Sequence, residues 1–370
     1  MAESVFVRHA NPCVTGVRAY VPGPTASMIS TRYGIGLDSI IKLSSNEAPL
    51  GPSPAVRSAL HTLAEGDELH RYPAPYPAEL VRAMAKSAGT APTQILPAGG
   101  SSETWALIVR AFSRAGEEVL VVEPSMTSFA ELTTIAERRA RILEMAPPFA
   151  LTADDVLAAT SPATRVIFLC SPNNTTSRML EPADVRRIAH GAPDAVVVVD
   201  EHYIEAADDY RSRTAVTVLT TTDNVIVTRS LSKMYALAGM RVGYAAGPEA
   251  AISYLRHFRS KWSVSVAAAA AGRAALEDEA HLQRNIDVTL EGRAYLQEEL
   301  RRLDGVDLVP GAQGGFLLFR TTTRPAASVV DELAKRGVMV RGDLLEGYVR
   351  VSVGTRDQNR RFLEALRAAL

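Results

Sequence analysis

Short apolar runs alternate with helical patterns along the middle of the chain. From about residue 95 onward, these Val- and Ile-rich runs are four to six residues long and are followed by helical spacing or by a polar turn. They do not alternate apolar with polar residues, which is typical of strands buried on both faces of a parallel sheet. The runs lie in EEVLVVEP, RVIFLC, AVVVV, NVIVTR and RVGYAAG. The pattern predicts an α/β domain whose mostly parallel sheet is covered by helices.

A different pattern follows Pro248. Residues 248–303 are mostly helical in spacing, and we expect one long helix over residues 284–302. Beyond it, short apolar runs (GGFLLFR, GVMVRG and YVRVSVG) alternate with two more helical stretches. This predicts a second, smaller α/β domain. The expected division is an N-terminal arm rich in Pro and Gly (1–40), a large domain (41–247) and a small C-terminal domain (248–370).

Composition narrows the class of protein. The chain has 370 residues, with 40 Lys+Arg against 41 Asp+Glu, so it lacks the basic field that a general nucleic-acid binder needs. Two cysteines give neither a disulfide framework nor a zinc-type spacing, and we expect no metal. The N-terminal residues lack the apolar segment of a secretory signal, and no apolar run is long enough for a membrane span. We therefore expect a cytoplasmic protein with neither nucleic acid nor membrane as a partner.

Polar side chains follow several of the predicted strands, at the point where each strand ends. These residues are Ser101, Ser102, Asn174, Asp200, Ser230, Ser232 and Lys233. In open α/β sheets, the carboxyl ends of the strands meet at one crevice, and ligands bind there. We therefore expect these side chains to converge on a single site.

The chemistry of this set matches one cofactor. A partly neutral lysine amine forms a Schiff base with an aldehyde. A carboxylate at a strand end keeps a pyridine nitrogen protonated, and serines, an arginine and a helix N-terminus hold a phosphate. Tyr203 and Asn174 are suited to hydrogen-bond a phenolic oxygen. Aldehyde, ring nitrogen, phosphate and 3-hydroxyl are the handles of pyridoxal 5'-phosphate.

The motifs around these residues resemble a known family. SLSKMYALAGMRVGY resembles the lysine signature of fold-type I aminotransferases that use pyridoxal 5'-phosphate, and Asp200 lies in the matching D-x-x-Y setting. KLSSNEAPLGPSP, RYP at 71–73, GGSSE and RVSVG at 350–354 resemble the histidinol-phosphate aminotransferase group. The resemblance implies the fold-type I architecture. That architecture has a large domain with a mostly parallel seven-stranded sheet flanked by helices, and a smaller α/β C-terminal domain.

The resemblance also implies roles for individual residues. Lys233 would carry the Schiff base and move the proton, and Asp200 would pair with the pyridinium nitrogen. The implied cofactor contacts are Tyr72, Ser101, Ser102, Met126, Asn174, Asp200, Tyr203, Ser230, Ser232 and Arg241. The implied substrate contacts are Tyr20, Asn46, His202, Arg341 and Arg350. The family transfers an amino group from an amino acid or amino-phosphate to a 2-oxo acid. It does so as a homodimer, in which Tyr72 would reach the cofactor phosphate of the neighbouring subunit.

Four departures from the family pattern lie in or beside the implied pocket. Met126 stands where the family has an aromatic residue on the pyridine ring, and His202 stands where it has a small residue. SPNNTTSR replaces SPNNPTG, and SSNEAP replaces SSNENP. These changes leave open a second interpretation, a diverged pyridoxal-phosphate enzyme of secondary metabolism that acts as an oxidase, a cyclase or a replacement enzyme. A binding protein without catalysis is disfavoured, because the lysine, aspartate, tyrosine and arginine of the signature are all present.

Overall fold

The computed structural model describes residues 4–17 and 23–370, and Tyr20 of the implied substrate contacts lies outside these ranges. The strands are β1 (Ile41–Lys42), β2 (Ile95–Ala98), β3 (Glu118–Glu123), β4 (Arg139–Glu144), β5 (Thr164–Cys170), β6 (Val196–Asp200), β7 (Val225–Ser230), β8 (Gly243–Ala246), β9 (Val306–Leu308), β10 (Phe316–Thr321), β11 (Val338–Met339) and β12 (Tyr348–Ser352). The α-helices are α1 (Val5–Arg8), α2 (Ala26–Tyr33), α3 (Pro54–Glu65), α4 (Ala78–Ala88), α5 (Ser101–Phe112), α6 (Thr127–Ile135), α7 (Ala153–Ala159), α8 (Pro182–Gly191), α9 (Tyr210–Arg213), α10 (Glu249–Leu255), α11 (Val266–Glu277), α12 (Glu279–Arg301), α13 (Ala326–Lys335) and α14 (Arg356–Ala369).

A seven-stranded sheet forms the centre of the molecule, in the order β2-β8-β7-β6-β5-β3-β4. Strand β8 runs antiparallel to both of its neighbours, and the other pairings are parallel. This confirms the predicted α/β class and the mostly parallel sheet. Strand β4 was not predicted from the sequence, because its residues are mostly exposed at the edge of the sheet.

Burial on both faces explains why the central strands read as continuous apolar runs. On β6, Val197 and Val199 pack into one apolar cluster, while Val198 packs into the cluster on the opposite face. Parallel pairing then aligns the strand ends, because Cys170 pairs with Asp200, and Asp200 pairs with Thr228. The polar residues at the ends of β5, β6 and β7 are therefore brought to one edge of the sheet.

The C-terminal part contains a three-stranded antiparallel sheet in the order β12-β10-β9. The long helix α12 begins at Glu279, five residues before the predicted start, because the Asp278 side chain accepts a hydrogen bond from the His281 amide at 3.0 Å. Strand β1 pairs in parallel with β11, and Leu43 joins the core around Leu296 and Phe362. The division of the chain into an arm and two domains, with boundaries after residues 40 and 247, stays a prediction. In the described ranges, no helix is long and apolar enough to cross a membrane.

Candidate active site

Lys233 lies in the turn after β7, at the sheet edge where the strand ends meet. Its Nζ donates a hydrogen bond to the Ser45 carbonyl oxygen at 2.8 Å and lies 5.3 Å from the centre of the Tyr203 ring. Burial and, to a lesser degree, the positive charge of Arg350 lower the pKa of Lys233 to about 8. A substantial fraction of this amine is therefore neutral, and thus nucleophilic, near pH 8.

Asp200 ends β6 and is fully buried. Its Oδ1 accepts a hydrogen bond from the Thr228 hydroxyl at 2.7 Å, and that hydroxyl accepts one from Trp105 Nε1 at 3.1 Å. Its Oδ2 contacts His202 Nδ1 and lies 3.8 Å from Cys170 Sγ. Neither Thr228 nor Trp105 was predicted from the sequence. The signal for Thr228 is its position opposite Asp200 on the adjacent parallel strand.

Tyr203 and Asn174 are both buried, Tyr203 next to Lys233 and Asn174 next to Arg350. The Tyr203 hydroxyl accepts a hydrogen bond from Asn46 Nδ2 at 3.0 Å, and burial raises the pKa of Tyr203 to about 12. The phenol therefore stays protonated and is available to donate to an oxygen. Asn174 Nδ2 donates to Met126 Sδ at 2.8 Å, which places the methionine beside the predicted pocket residues.

Arg350 reaches this pocket from β12 and is buried. Its Nη1 donates to the Asn174 carbonyl oxygen at 2.6 Å and its Nη2 to the Ser44 carbonyl oxygen at 3.0 Å. Its Nε has no hydrogen-bond partner among the described residues. Burial lowers the pKa of Arg350 to about 10. This guanidinium lies near the Phe316 ring and forms no ion pair with a carboxylate in residues 4–17 and 23–370.

Arg341 lies opposite Arg350 in an isolated bridge, just beyond the end of β11. Its side chain is bound to Asp343, with Nε–Oδ1 at 2.6 Å and Nη2–Oδ2 at 2.9 Å. Arg341 therefore lies beside Arg350, as expected, but its guanidinium is bound to the Asp343 carboxylate of the same loop. Asp343 was not among the residues that the sequence analysis named.

A cluster of small polar groups lies where α5 begins. Ser230 Oγ donates to Ser232 Oγ at 2.8 Å, and Arg241 Nη1 lies 3.4 Å from Ser232 Oγ. Gly100 precedes α5 with φ of +93°, and a Cβ built there would lie 2.6 Å from Arg241 Nη2. Glycine is therefore required for the arginine to approach the start of the helix. The buried side chain of Ser101 and the exposed one of Ser102 occupy the first turn of α5.

Tyr72 lies on the surface rather than within this cluster. It is 80% exposed, and its ring stacks on Trp262 with ring centres 4.5 Å apart. The two aromatic rings form an exposed apolar patch on this face of the chain.

A family model described as "Aminotransferase class I and II" matches residues 38–366. The chain belongs to this family. It is accordingly an aminotransferase that uses pyridoxal 5'-phosphate, as the resemblance implied. The match spans all seven strands of the large sheet and all of the described candidate site residues.

Curated relatives of the aminotransferase cover nearly its whole length. The histidinol-phosphate aminotransferase of Methanococcoides burtonii is 35% identical over 95% of this chain and 96% of its own. That of Symbiobacterium thermophilum is 37% identical over 96% of this chain and 97% of its own. Among solved structures, the histidinol-phosphate aminotransferase of Sinorhizobium meliloti in complex with pyridoxal-5'-phosphate has a TM-score of 0.85 at 23% identity, covering 98% of this chain and 97% of its own. This structural likeness confirms the fold-type I architecture.

The pocket of the aminotransferase fits its cofactor. Arg241 donates to the Ala238 carbonyl oxygen at 3.0 Å and forms no ion pair with a carboxylate in the described part of the chain, so its charge is available to neutralise a phosphate beside Ser232 and the start of α5. Asp200, a buried carboxylate at the end of β6, is suited to a ring nitrogen. Cys170, Asp200 and His202 also bring three metal-ligand types within 4.8 Å of one another. Because they include this aspartate, we assign them to the cofactor pocket.

Proposed function

We propose that this aminotransferase moves an amino group from an amino-phosphate donor of the histidinol phosphate kind to a 2-oxo acid such as 2-oxoglutarate. The relatives at 35–37% identity support the donor, since they are described as histidinol-phosphate aminotransferases. The observation that carries the proposal is the buried guanidinium of Arg350, which has one N–H without a partner among the described residues. An acidic group on the substrate would complete its contacts.

The chemistry of Arg350 explains why its ligand should be an anion. Its two described hydrogen bonds go to backbone carbonyl oxygens, which carry no net charge. A buried cation that lacks a counter-ion is unfavourable, as its lowered pKa shows. A carboxylate or phosphate would supply the opposite charge and accept hydrogen bonds from the guanidinium. Arg350 would therefore bind and orient the acidic end of each substrate.

Lys233 would be the group that holds the cofactor and moves the proton. Bound pyridoxal 5'-phosphate supplies an aldehyde for a lysine amine and a ring that withdraws electrons from the α-carbon of the donor. The pKa of about 8 leaves the Lys233 amine partly neutral. Its Nζ would therefore take the proton from the α-carbon of the donor and return it at the carbon of the cofactor that receives the nitrogen. Asp200 would face the ring nitrogen, and Tyr203 and Asn174 would face the 3-oxygen.

The phosphate of the donor would bind near Arg341. The Arg341–Asp343 ion pair has side chains that are 29% and 64% exposed, and exposed pairs contribute only about 0–1 kcal/mol. A phosphate with up to two negative charges would therefore displace Asp343 at small cost. The Arg341–Asp343 ion pair would therefore influence the affinity for phosphate donors without preventing their binding.

The donor assignment is tested by comparing L-histidinol phosphate with L-histidinol in steady-state assays with 2-oxoglutarate. We expect Asp343→Asn to raise kcat/KM for the phosphate donor, and Arg341→Gln to lower it about tenfold or more, because charge-assisted hydrogen bonds to a phosphate are lost. The kcat/KM for L-histidinol should stay the same in both variants. Equal responses for both donors would show that no phosphate binds at Arg341. Oxygen uptake without a 2-oxo acid would instead favour the diverged enzyme.

A homodimer would complete each site. The exposed, stacked rings of Tyr72 and Trp262 support this, because contact with a second copy of the chain would remove their apolar surface from water. Tyr72 would contact the cofactor phosphate of the neighbouring subunit. We expect Tyr72→Ala and Lys233→Ala to be nearly inactive alone and to regain activity when mixed, since one mixed site carries both native residues. No recovery on mixing, with both variants folded and dimeric, would contradict a shared site.

A further inference from the structure

The two oxygens of the Asp200 carboxylate have different surroundings. At Oδ1, the Thr228 hydroxyl accepts from Trp105 Nε1, so its own proton points to the carboxylate. At Oδ2, the neighbours are Cys170 Sγ and His202 Nδ1. Oδ2, unlike Oδ1, therefore contacts an imidazole.

His202 is the one ion-pair partner of Asp200 in the described ranges. The nearby cations bind elsewhere, since Lys233 donates to the Ser45 carbonyl oxygen and Arg350 to two backbone carbonyl oxygens. A buried carboxylate needs hydrogen-bond partners or an opposite charge. In the described ranges, Asp200 has the Thr228 hydroxyl at Oδ1 and the His202 imidazole at Oδ2.

The His202 ring is enclosed by aromatic side chains. It is buried, its centre lies 3.8 Å from that of the Tyr203 ring, and it lies 6.4 Å from that of the Trp105 ring. From this buried position, Nδ1 contacts Asp200 Oδ2.

We propose that His202 is a positioning residue that takes the place of the cofactor ring nitrogen at Asp200 in the cofactor-free protein and competes with it when the cofactor binds. This inference rests on the proposed function in one respect, the assignment of Asp200 to the ring nitrogen. Its consequence is that part of the attraction between Asp200 and the cofactor is offset by the lost contact with His202. A chain with a small residue at this position would have no such competitor.

The test compares two cofactors in equilibrium binding to the apoprotein: pyridoxal 5'-phosphate and its 1-deaza analogue, in which a C–H replaces the ring nitrogen. The ratio is the dissociation constant of the 1-deaza analogue divided by that of pyridoxal 5'-phosphate. It isolates the interaction of the ring nitrogen, because contacts to the ring faces and the phosphate cancel. In His202→Ala, we expect the preference for the natural cofactor to rise about tenfold, which corresponds to about 1.4 kcal/mol. His202→Phe keeps an aromatic ring without an N–H and should raise the preference in the same direction.

Two further variants complete the design. His281→Ala removes another buried histidine, which bonds the Gly51 carbonyl oxygen at 2.9 Å, and it should leave the ratio unchanged. Asp200→Asn should lower the ratio. In the double variant Asp200→Asn/His202→Ala, the second substitution should no longer raise the ratio.

The outcomes separate this inference from the proposed function. If Asp200→Asn lowers the ratio but neither His202 variant raises it, the competition is refuted while the cofactor placement stands. If Asp200→Asn leaves the ratio unchanged, the ring nitrogen does not face Asp200, and both the placement and the inference are wrong. Equal weakening of both cofactors in the two His202 variants would mean that His202 only packs against the ring.

Discussion

Replacing Arg350 should separate substrate binding from cofactor binding. The side chain is buried, holds two backbone carbonyl oxygens and has an N–H without a partner in the described part of the chain. Arg350→Lys keeps the charge but loses the planar fork that matches a carboxylate. Arg350→Met removes the charge and keeps an unbranched apolar side chain. We therefore expect both variants to bind pyridoxal 5'-phosphate and to lose affinity for the acid group of the substrates.

The size of the loss follows from the burial of the guanidinium. Truncating one partner of a buried, hydrogen-bonded charge pair costs about 2–5 kcal/mol. At about 1.4 kcal/mol for each factor of ten, this is about a 30-fold to few-thousand-fold rise in KM for 2-oxoglutarate. Arg350→Lys should fall at the lower end, because the ammonium keeps part of the attraction, and Arg350→Met should fall at the upper end.

The assay is the KM for 2-oxoglutarate at fixed, saturating donor, with bound cofactor measured by absorbance. Arg320→Lys is the matched control, because Arg320 is an exposed arginine on the neighbouring strand β10. It should leave KM unchanged. Thermal unfolding of each variant checks that the fold is kept. A folded, cofactor-loaded Arg350→Met with KM within about threefold of the native value would refute the anion-binding role.

Two more predictions concern the cofactor end of the pocket. Gly100→Ala should weaken binding of pyridoxal 5'-phosphate at least about tenfold by displacing Arg241, since charge-assisted contacts are lost. Gly116→Ala, also at positive φ but with nothing within 4 Å of the added carbon, should affect stability alone. Because the neutral amine reacts, the stopped-flow rate of cofactor capture should rise with pH and level off above about pH 8, the pKa of Lys233. A rate still rising toward 10.5, the ordinary lysine value, would contradict the lowered pKa.

The central strands were predictable because burial on both faces leaves a clear compositional signal. Strand β6 packs against apolar clusters on both faces, with Val197 and Val199 on one face and Val198 on the other. A continuous apolar run is therefore what a strand inside a parallel sheet requires. Edge strand β4 has no such signal, because its exposed positions tolerate charged residues. The pairing of β1 with β11 joins segments almost 300 positions apart, and no local pattern specifies it.

The site shows the same division between local and non-local information. Strand-end residues such as Asp200 and Lys233 were found from their position after apolar runs. Their partners were not found, because the contact of Thr228 with Asp200 depends on strand register and that of Trp105 depends on helix packing. Arg341 is paired with Asp343 and would pair with a substrate phosphate instead, and the sequence spacing alone does not show that these two anions would compete for it.

We propose above that this chain transfers an amino group from histidinol phosphate by way of its bound cofactor. The most direct measurement mixes the cofactor-loaded protein with L-histidinol phosphate, without a 2-oxo acid, and identifies the released cofactor by mass spectrometry. We expect one pyridoxamine 5'-phosphate per site, and its return to pyridoxal 5'-phosphate with formation of glutamate once 2-oxoglutarate is added. Cofactor recovered unchanged from a folded, fully loaded protein would show that histidinol phosphate is not its amino donor.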